Sequence, residues 1–178
     1  MRSRYRSRNE TGARAAGRIR PLSTQAFAAC LDDPRFLDYV PQFIVPSPLI
    51  GRYGLTQDGH KSARALSNVG SRWYLVTEFD DGRKQGQQAA KILWLTGVAR
   101  SSNIKLAMVL FSGKKSLHAW WDVRRLDETV IMEFFQIVCS IGCDPCTKTR
   151  SQLVRTPKAA NSFGGNKAKC YPRVTNLC

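Results

Sequence analysis

An α+β fold is expected from this sequence: a ferredoxin-like (split βαβ) sheet, with an additional N-terminal α/β portion ahead of it. Three observations point there. Between residues 73 and 155 the hydrophobic pattern runs strand, helix, strand, strand, helix, strand, the order of that motif. Both helical stretches meet a glycine, Gly97 and Gly142, a common stop signal. The chain has 178 residues, 43% of them hydrophobic, enough for one domain with a real core.

Residues 1–20 hold seven arginines against one acid, and few apolar residues. They read as a basic arm, disordered when alone. Residues 21–178 read as a single domain. Ser23 suits the N-cap of a short helix at 24–31, and Asp33-Pro34 suits the start of another. Residues 40–72, rich in Pro, Gly and Ser, read as irregular, with one short strand around 42–45.

The first firm strand is 73–82. Alternation puts Tyr74, Val76, Glu78 and Asp80 on one face and Trp73, Leu75, Thr77 and Phe79 on the other. Gly82 ends the turn, and a helix follows at 84–95 with Ala89, Ile92, Leu93 and Leu95 apolar. Residues 105–111 form a buried strand, and Ser112-Gly113-Lys114-Lys115 a tight polar loop. A third strand at 117–123 leads to Asp127, an N-cap for a helix at 128–141 with a broad apolar stripe that includes Val130, Phe134 and Val138. A fourth strand covers 152–155 and stops at Pro157, and a short one lies at 171–174.

In the split βαβ motif the sheet order is 4-1-3-2. The end of strand 1 then lies beside the starts of strands 3 and 4, which gathers Glu78, Asp80, Ser116, His118 and Asp144 at one edge. Glu78 and Asp80, about 6–7 Å apart along the strand, repel unless a proton or cation sits between them. Mg²⁺ or Mn²⁺, hard cations held by carboxylates plus substrate phosphate, suits such a pair. A strand fraying into a polar turn is the plainer explanation of the same residues. Ser112-Gly113-Lys114-Lys115-Ser116-Leu117-His118 can wrap phosphate oxygens with backbone N–H groups, hydroxyls and charge. The competing explanation is a basic hairpin turn followed by a packed histidine.

The formal charge of +15 favours polyanionic partners: nucleic acid, nucleotides or an anionic membrane. No apolar run approaches the roughly 20 residues that span a bilayer, and no secretory signal opens the chain. A cytoplasmic protein without a membrane partner is expected. With only His60 and His118 present, a His-x-His metal pair is excluded, and no Gly-x-Ser-x-Gly elbow supports a serine hydrolase. Trp73, Trp120 and Trp121 can stack bases or pack the core. Cys143-x-x-Cys146, with Cys139 and Cys170, raises a structural Zn²⁺ site, although a lone Cys-x-x-Cys is a weak signal.

Three blocks in order resemble the archaeo-eukaryotic primase superfamily, in particular its small phage, plasmid and bacterial members. They are Glu78-Phe79-Asp80; Ser112-Gly113-Lys114-Lys115-Ser116-Leu117-His118-Ala119-Trp120; and Gly142-Cys143-Asp144-Pro145 followed by Arg150-Ser151-Gln152-Leu153-Val154-Arg155-Thr156-Pro157. The middle block is similar to the family's Ser-x-His motif, and the last to its acidic position and Arg-x-Pro strand. The resemblance implies a catalytic sheet of the primase type and a DNA primase or primase-polymerase. Such an enzyme makes short primers on single-stranded DNA from nucleoside triphosphates. It implies that Glu78, Asp80 and Asp144 bind two divalent metals, Mg²⁺ or Mn²⁺. Ser112, Gly113, Lys114, Lys115, Ser116 and His118 would hold the triphosphate, with Arg155 near the phosphates or template. Arg2, Arg4, Arg6, Arg8, Lys158 and Lys167 would track the DNA. Some relatives place the third acid where this chain has Thr149, and Asn161 stands where relatives carry an Asn or Arg. The chain has no length for a helical accessory domain or fused helicase, so a replicative helicase or initiator is the expected partner. The alternative is a ferredoxin-like single-stranded nucleic-acid-binding module without chemistry.

Overall fold

The computed structural model describes residues 4–8, 14–18, 43–80, 84–112, 115–156 and 169–172, with backbone alone for 4–8, 14–18 and 169–172. The helices expected at 24–31 and after Asp33-Pro34 lie outside these residues, as do Gly82, Gly113, Lys114 and 158–161. The architecture is mixed α+β, with small antiparallel sheets and two α-helices among the described residues. In chain order the strands are β1 (Arg4–Arg8), β2 (Arg14–Arg18), β3 (Phe43–Ile44), β4 (Gly54–Leu55), β5 (Lys61–Ser62), β6 (Tyr74–Phe79), β7 (Lys105–Phe111), β8 (Leu117–Asp122), β9 (Val154–Arg155) and β10 (Lys169–Pro172). The helices are α1 (Gln85–Ser101) and α2 (Glu128–Ser140). No helix among the described residues is long and apolar enough to cross a membrane. In the basic segment, β1 and β2 pair with each other as a separate two-stranded ladder.

The central sheet has the order β10-β7-β8-β6, antiparallel throughout. Its two faces differ because alternate residues differ. On one face Leu75, Phe79, Leu117, Ala119 and Trp121 form the main core with Ile92, Leu95 and Ala99 of α1 and Ile131, Phe134 and Val138 of α2. Trp121 meets the Phe134 ring edge-on at 5.1 Å, and its Nε1–H donates to Thr77 Oγ1 at 3.0 Å, so the indole is buried with its polar atom satisfied. On the other face Val76 and Trp120 pack with Val154, Ile44, Tyr74 and Met108. The short β3–β9 ladder therefore covers part of that face.

Helix ends follow local chemistry. α2 stops as expected: Gly142, at φ 96°, takes the left-handed position, and the Gly142 and Cys143 N–H groups donate to Cys139 and Val138 carbonyls at 2.9 and 3.3 Å. α1 does not stop at Gly97. It runs on to Ser101, which brings Ala99 into the core, and Asn103 at φ 57° supplies the left-handed turn instead. The buried Arg72 donates to Glu128 Oε1 and to the Lys148 carbonyl, both at 2.8 Å, and so ties the start of α2 to the chain entering β9.

The order β6-β8-β7 has the first expected strand beside the third and the third beside the second. The fourth expected strand is not beside the first, however. At the edge of β6 the Asp144 N–H donates to the Glu78 carbonyl at 2.9 Å, and residues Pro145–Lys148 turn in a short 3-10 helix there. The chain then crosses the sheet face, where β9 keeps only two residues and pairs with β3. The late strand near Tyr171 instead extends the opposite edge, beside β7.

Burial separates the tryptophans. Trp121→Ala is expected to cost about 3–5 kcal/mol, because it removes a core ring and the indole donor to Thr77, whose hydroxyl keeps only its bond to the Ala119 carbonyl. Trp73→Ala, at a position 40% exposed, is expected to cost less than about 1 kcal/mol. Urea denaturation of both variants against wild type measures the difference.

Candidate active site

The site begins with a register. β6 and β8 pair so that Glu78 stands opposite His118 and Phe79 opposite Leu117. Glu78 and His118 thus share the face away from the helices, at the end of the strands where the apolar patch of Val76 and Trp120 gives way to polar groups. His118 is 5% exposed and its Nε2 lies 3.3 Å from Glu78 Oε1.

The loop before β8 adds hydroxyls. Ser112 N–H donates to the Ser116 carbonyl at 3.0 Å and closes the hairpin, while Ser116 N–H reaches Ser112 Oγ at 3.3 Å. Ser116 Oγ is the hub. It lies 3.0 Å from Glu78 Oε1, 2.9 Å from Ser112 Oγ and 3.1 Å from His118 Nε2. The hydroxyl can donate to the Glu78 carboxylate while its two lone pairs accept from the Ser112 hydroxyl and the His118 ring N–H, so one oxygen links all three side chains. Outside it, Lys115 Nζ pairs with Asp80 Oδ1 at 3.1 Å, both side chains partly in water.

Glu78 is held as a carboxylate. Burial pushes its pKa up, but hydrogen bonds from His118 and Ser116, with the charges of His118 and Arg155, pull it below the ordinary value of 4.5. Arg155, on β9, reaches this region with its guanidinium 4.6 Å above the Phe43 ring. Burial pushes the Arg155 pKa down and the Glu78 charge opposes that. Arg155 Nη1 and His118 Nδ1 are buried without a hydrogen-bond partner among the described residues. Arg155 Nη1 is a donor that an incoming anion or water can satisfy, and His118 Nδ1, on a ring whose Nε2–H faces the Glu78 carboxylate, takes a donor such as water when the ring is neutral.

This geometry differs from a serine hydrolase. A Ser–His–acid relay places serine on one ring nitrogen and the acid on the other. Here Ser116 and Glu78 both approach Nε2, and Nδ1 has neither.

Of the expected site residues, Glu78, Asp80, Ser112, Lys115, Ser116, His118 and Arg155 fall at this end of β6 and β8. Asp144 arrives by its backbone, but its carboxylate accepts the Cys146 N–H at 2.8 Å and caps its own turn. No three His, Cys, Asp or Glu side chains among the described residues are grouped to hold a metal ion. Cys143 is buried in the main core, its thiol donates to the Asp144 carbonyl at 3.5 Å, and burial pushes its pKa up to about 12. Cys146 is exposed, and the Cys170 side chain lies outside the described residues, like Gly113, Lys114, Arg2, Lys158, Lys167 and the side chains of Arg4, Arg6 and Arg8. Trp120 and Trp121 are buried, so neither offers a free ring for stacking.

One contact to the loop has no counterpart among the sequence expectations. Gln88 of α1, wholly buried, bonds the backbone on both sides of Ser116. A signal existed: Gln88 shares the stripe of Ile92, Leu95 and Ala99.

The sign of the Glu78 shift fixes a pH response. A depressed folded pKa stabilises the fold above the ordinary glutamate range, and that contribution fades as pH falls through the folded value. In metal-free buffer, wild type should therefore lose stability more steeply than Glu78→Gln between about pH 5 and about pH 2. Urea midpoints measured across that range check it, and parallel slopes would contradict it.

No protein-family model matches the sequence, and no curated protein matches it. Among solved structures, the chain is similar to the AEP domain of the cyanophage S-2L primase-polymerase (PrimPol), with a TM-score of 0.48 and 17% sequence identity. The match covers 76% of this chain and spans 64% of that one.

Proposed function

We propose that this protein is a primase or primase-polymerase, a nucleotidyltransferase that makes short primers on single-stranded DNA from nucleoside triphosphates. The observation that carries this reading is the half-buried Glu78 carboxylate at a strand end, bonded to Ser116 and His118 with Asp80 two residues on. The catalytic sheet is of the ferredoxin-like primase type, with its fourth strand displaced.

The oxygen-only donor set of Glu78 and Asp80 suits Mg²⁺ or Mn²⁺, which hold one or two carboxylates and complete their shells with phosphate and water. When bound, such ions supply Lewis-acid neutralisation of charge on the reacting phosphates. Asp144 has Oδ1 engaged by the Cys146 N–H, which leaves Oδ2 as the oxygen it could add to that set. The chain's own residues then bind and orient. Lys115 leaves its exposed pairing with Asp80 at little cost and meets a triphosphate oxygen. Ser112 and Ser116 donate hydroxyl protons to phosphate, with Gly113 and Lys114 between them in the loop. His118 in its imidazolium form, braced by Glu78 through Nε2, offers Nδ1–H, and Arg155 supplies a guanidinium whose Nη1 is unmatched among the described residues. The basic segment bearing Arg2, Arg4, Arg6 and Arg8, with Lys158 and Lys167, tracks the template. A helicase or initiator chooses the priming site in the cytoplasm.

The composition favours one competitor, a non-catalytic single-stranded nucleic-acid-binding module. Primer synthesis from free nucleotides on single-stranded DNA with Mn²⁺ or Mg²⁺ separates the two. Wild type should make product. Glu78→Ala and Asp80→Ala should each lose at least about a hundredfold, and His118→Ala about ten- to a hundredfold. Template binding with no product from wild type, alone and with a replicative helicase, would leave the binding module standing. A second measurement concerns the arm: replacing Arg2, Arg4, Arg6 and Arg8 with alanine should reduce the slope of log affinity against log salt by about 3.

A further inference from the structure

We propose that Gln88 is a positioning residue for the loop that holds the triphosphate, a role that rests on the nucleotidyltransferase reading above. Its carboxamide makes two hydrogen bonds that straddle one residue. Nε2–H donates to the Lys115 carbonyl at 3.0 Å, and Oε1 accepts the Leu117 N–H at 3.1 Å. The residue between them is Ser116, the hub of the Glu78, Ser112 and His118 contacts.

The placement explains why a polar side chain sits on a buried stripe. Gln88 is 0% exposed on the first turns of α1, in line with Ile92, Leu95 and Ala99. An unmatched carboxamide there would be strongly unfavourable, and this one has both ends matched. Its partners are backbone atoms of the one loop that carries a lysine against Asp80 and a serine against Glu78. The backbone hairpin bond from Ser112 N–H to the Ser116 carbonyl fixes the loop from one side, and Gln88 fixes it from the helix side. Between them, the backbone that carries Ser116 is held on both sides, which sets its Cα–Cβ bond toward Glu78. Gln88 touches no substrate. It sets where Lys115 and Ser116 stand when substrate arrives, and small displacements of such groups weaken binding steeply.

The test uses the full chain with Gln88→Leu and Gln88→Met, two apolar replacements of similar volume, so one remains usable if the other fails to fold. Three quantities are measured: affinity for a nucleoside triphosphate with Mn²⁺, affinity for a single-stranded oligonucleotide, and amide hydrogen exchange. The expected result is a loss of about tenfold or more in triphosphate affinity. Oligonucleotide affinity should change less than about twofold, and faster exchange should be confined to residues 112–117. Triphosphate affinity equal to wild type would overturn the proposal. So would a loss accompanied by faster exchange across the whole sheet, which marks a merely structural role. If wild type itself binds no triphosphate, the nucleotidyltransferase reading fails and the role given to Gln88 fails with it. That case is distinguished by the wild-type titration alone.

Discussion

The pairing of β6 with β8 is the constraint on which the rest depends. A slip of one residue would turn Glu78 into the helix-side core and Phe79 out to solvent. Two features hold the register. Leu75, Phe79, Leu117 and Trp121 must all face the helices to form one core. Across the strands, the Trp121 indole N–H reaches Thr77 on that same side and satisfies a fully buried hydroxyl. Packing on one face thus decides chemistry on the other, because alternate residues of the same two strands supply both.

The two faces also differ in how completely their polar atoms are satisfied. Thr77, Gln88 and Trp121, all buried on the helix side, have hydrogen-bond partners. The buried atoms without partners among the described residues belong to His118 and Trp120 on the opposite face, and to Ser47, Arg155 and Thr156 on or just beyond the β3–β9 ladder. An unmatched buried polar atom costs about 1–3 kcal/mol, so such atoms are rare where stability alone is at stake. Two of them, His118 and Arg155, belong to side chains that act on Glu78, and this is the side of the sheet on which the candidate site lies.

Much of this was readable in residue order, and the failures have physical causes. β6, β7, β8 and α2 declare themselves because their apolar periods are long and their ends carry Asp127 and Gly142. Glu78 and His118 could be placed together because two strongly patterned strands fix each other's register. Gly97 misled, since the local cost of glycine in a helix is about 1 kcal/mol and burying Ala99 beyond it outweighs that. β9 has two residues and no period of its own, so its partner was decided by the Pro145–Lys148 turn occupying the edge of β6. Asp144 was expected at the site by its charge and reaches it by its N–H, while its carboxylate answers a nearer donor. Sequence order brings a residue to a place; only the local hydrogen bonds decide which of its atoms faces the work.

That distinction bears on whether the site does chemistry. A surface that merely holds a polyanion is served by cations alone, and at a charge of +15 this chain has them in excess. Carboxylates at the end of the sheet proposed to hold phosphate subtract from that attraction. Glu78 is held there against its own desolvation, below the ordinary glutamate pKa, by a histidine, a serine and an arginine that could otherwise meet the ligand directly. If this face holds a polyanion, as proposed, stabilising a carboxylate in the middle of it opposes simple binding. It favours a reaction in which negative charge must be met by a cation held in place, and phosphoryl transfer to a growing strand is such a reaction.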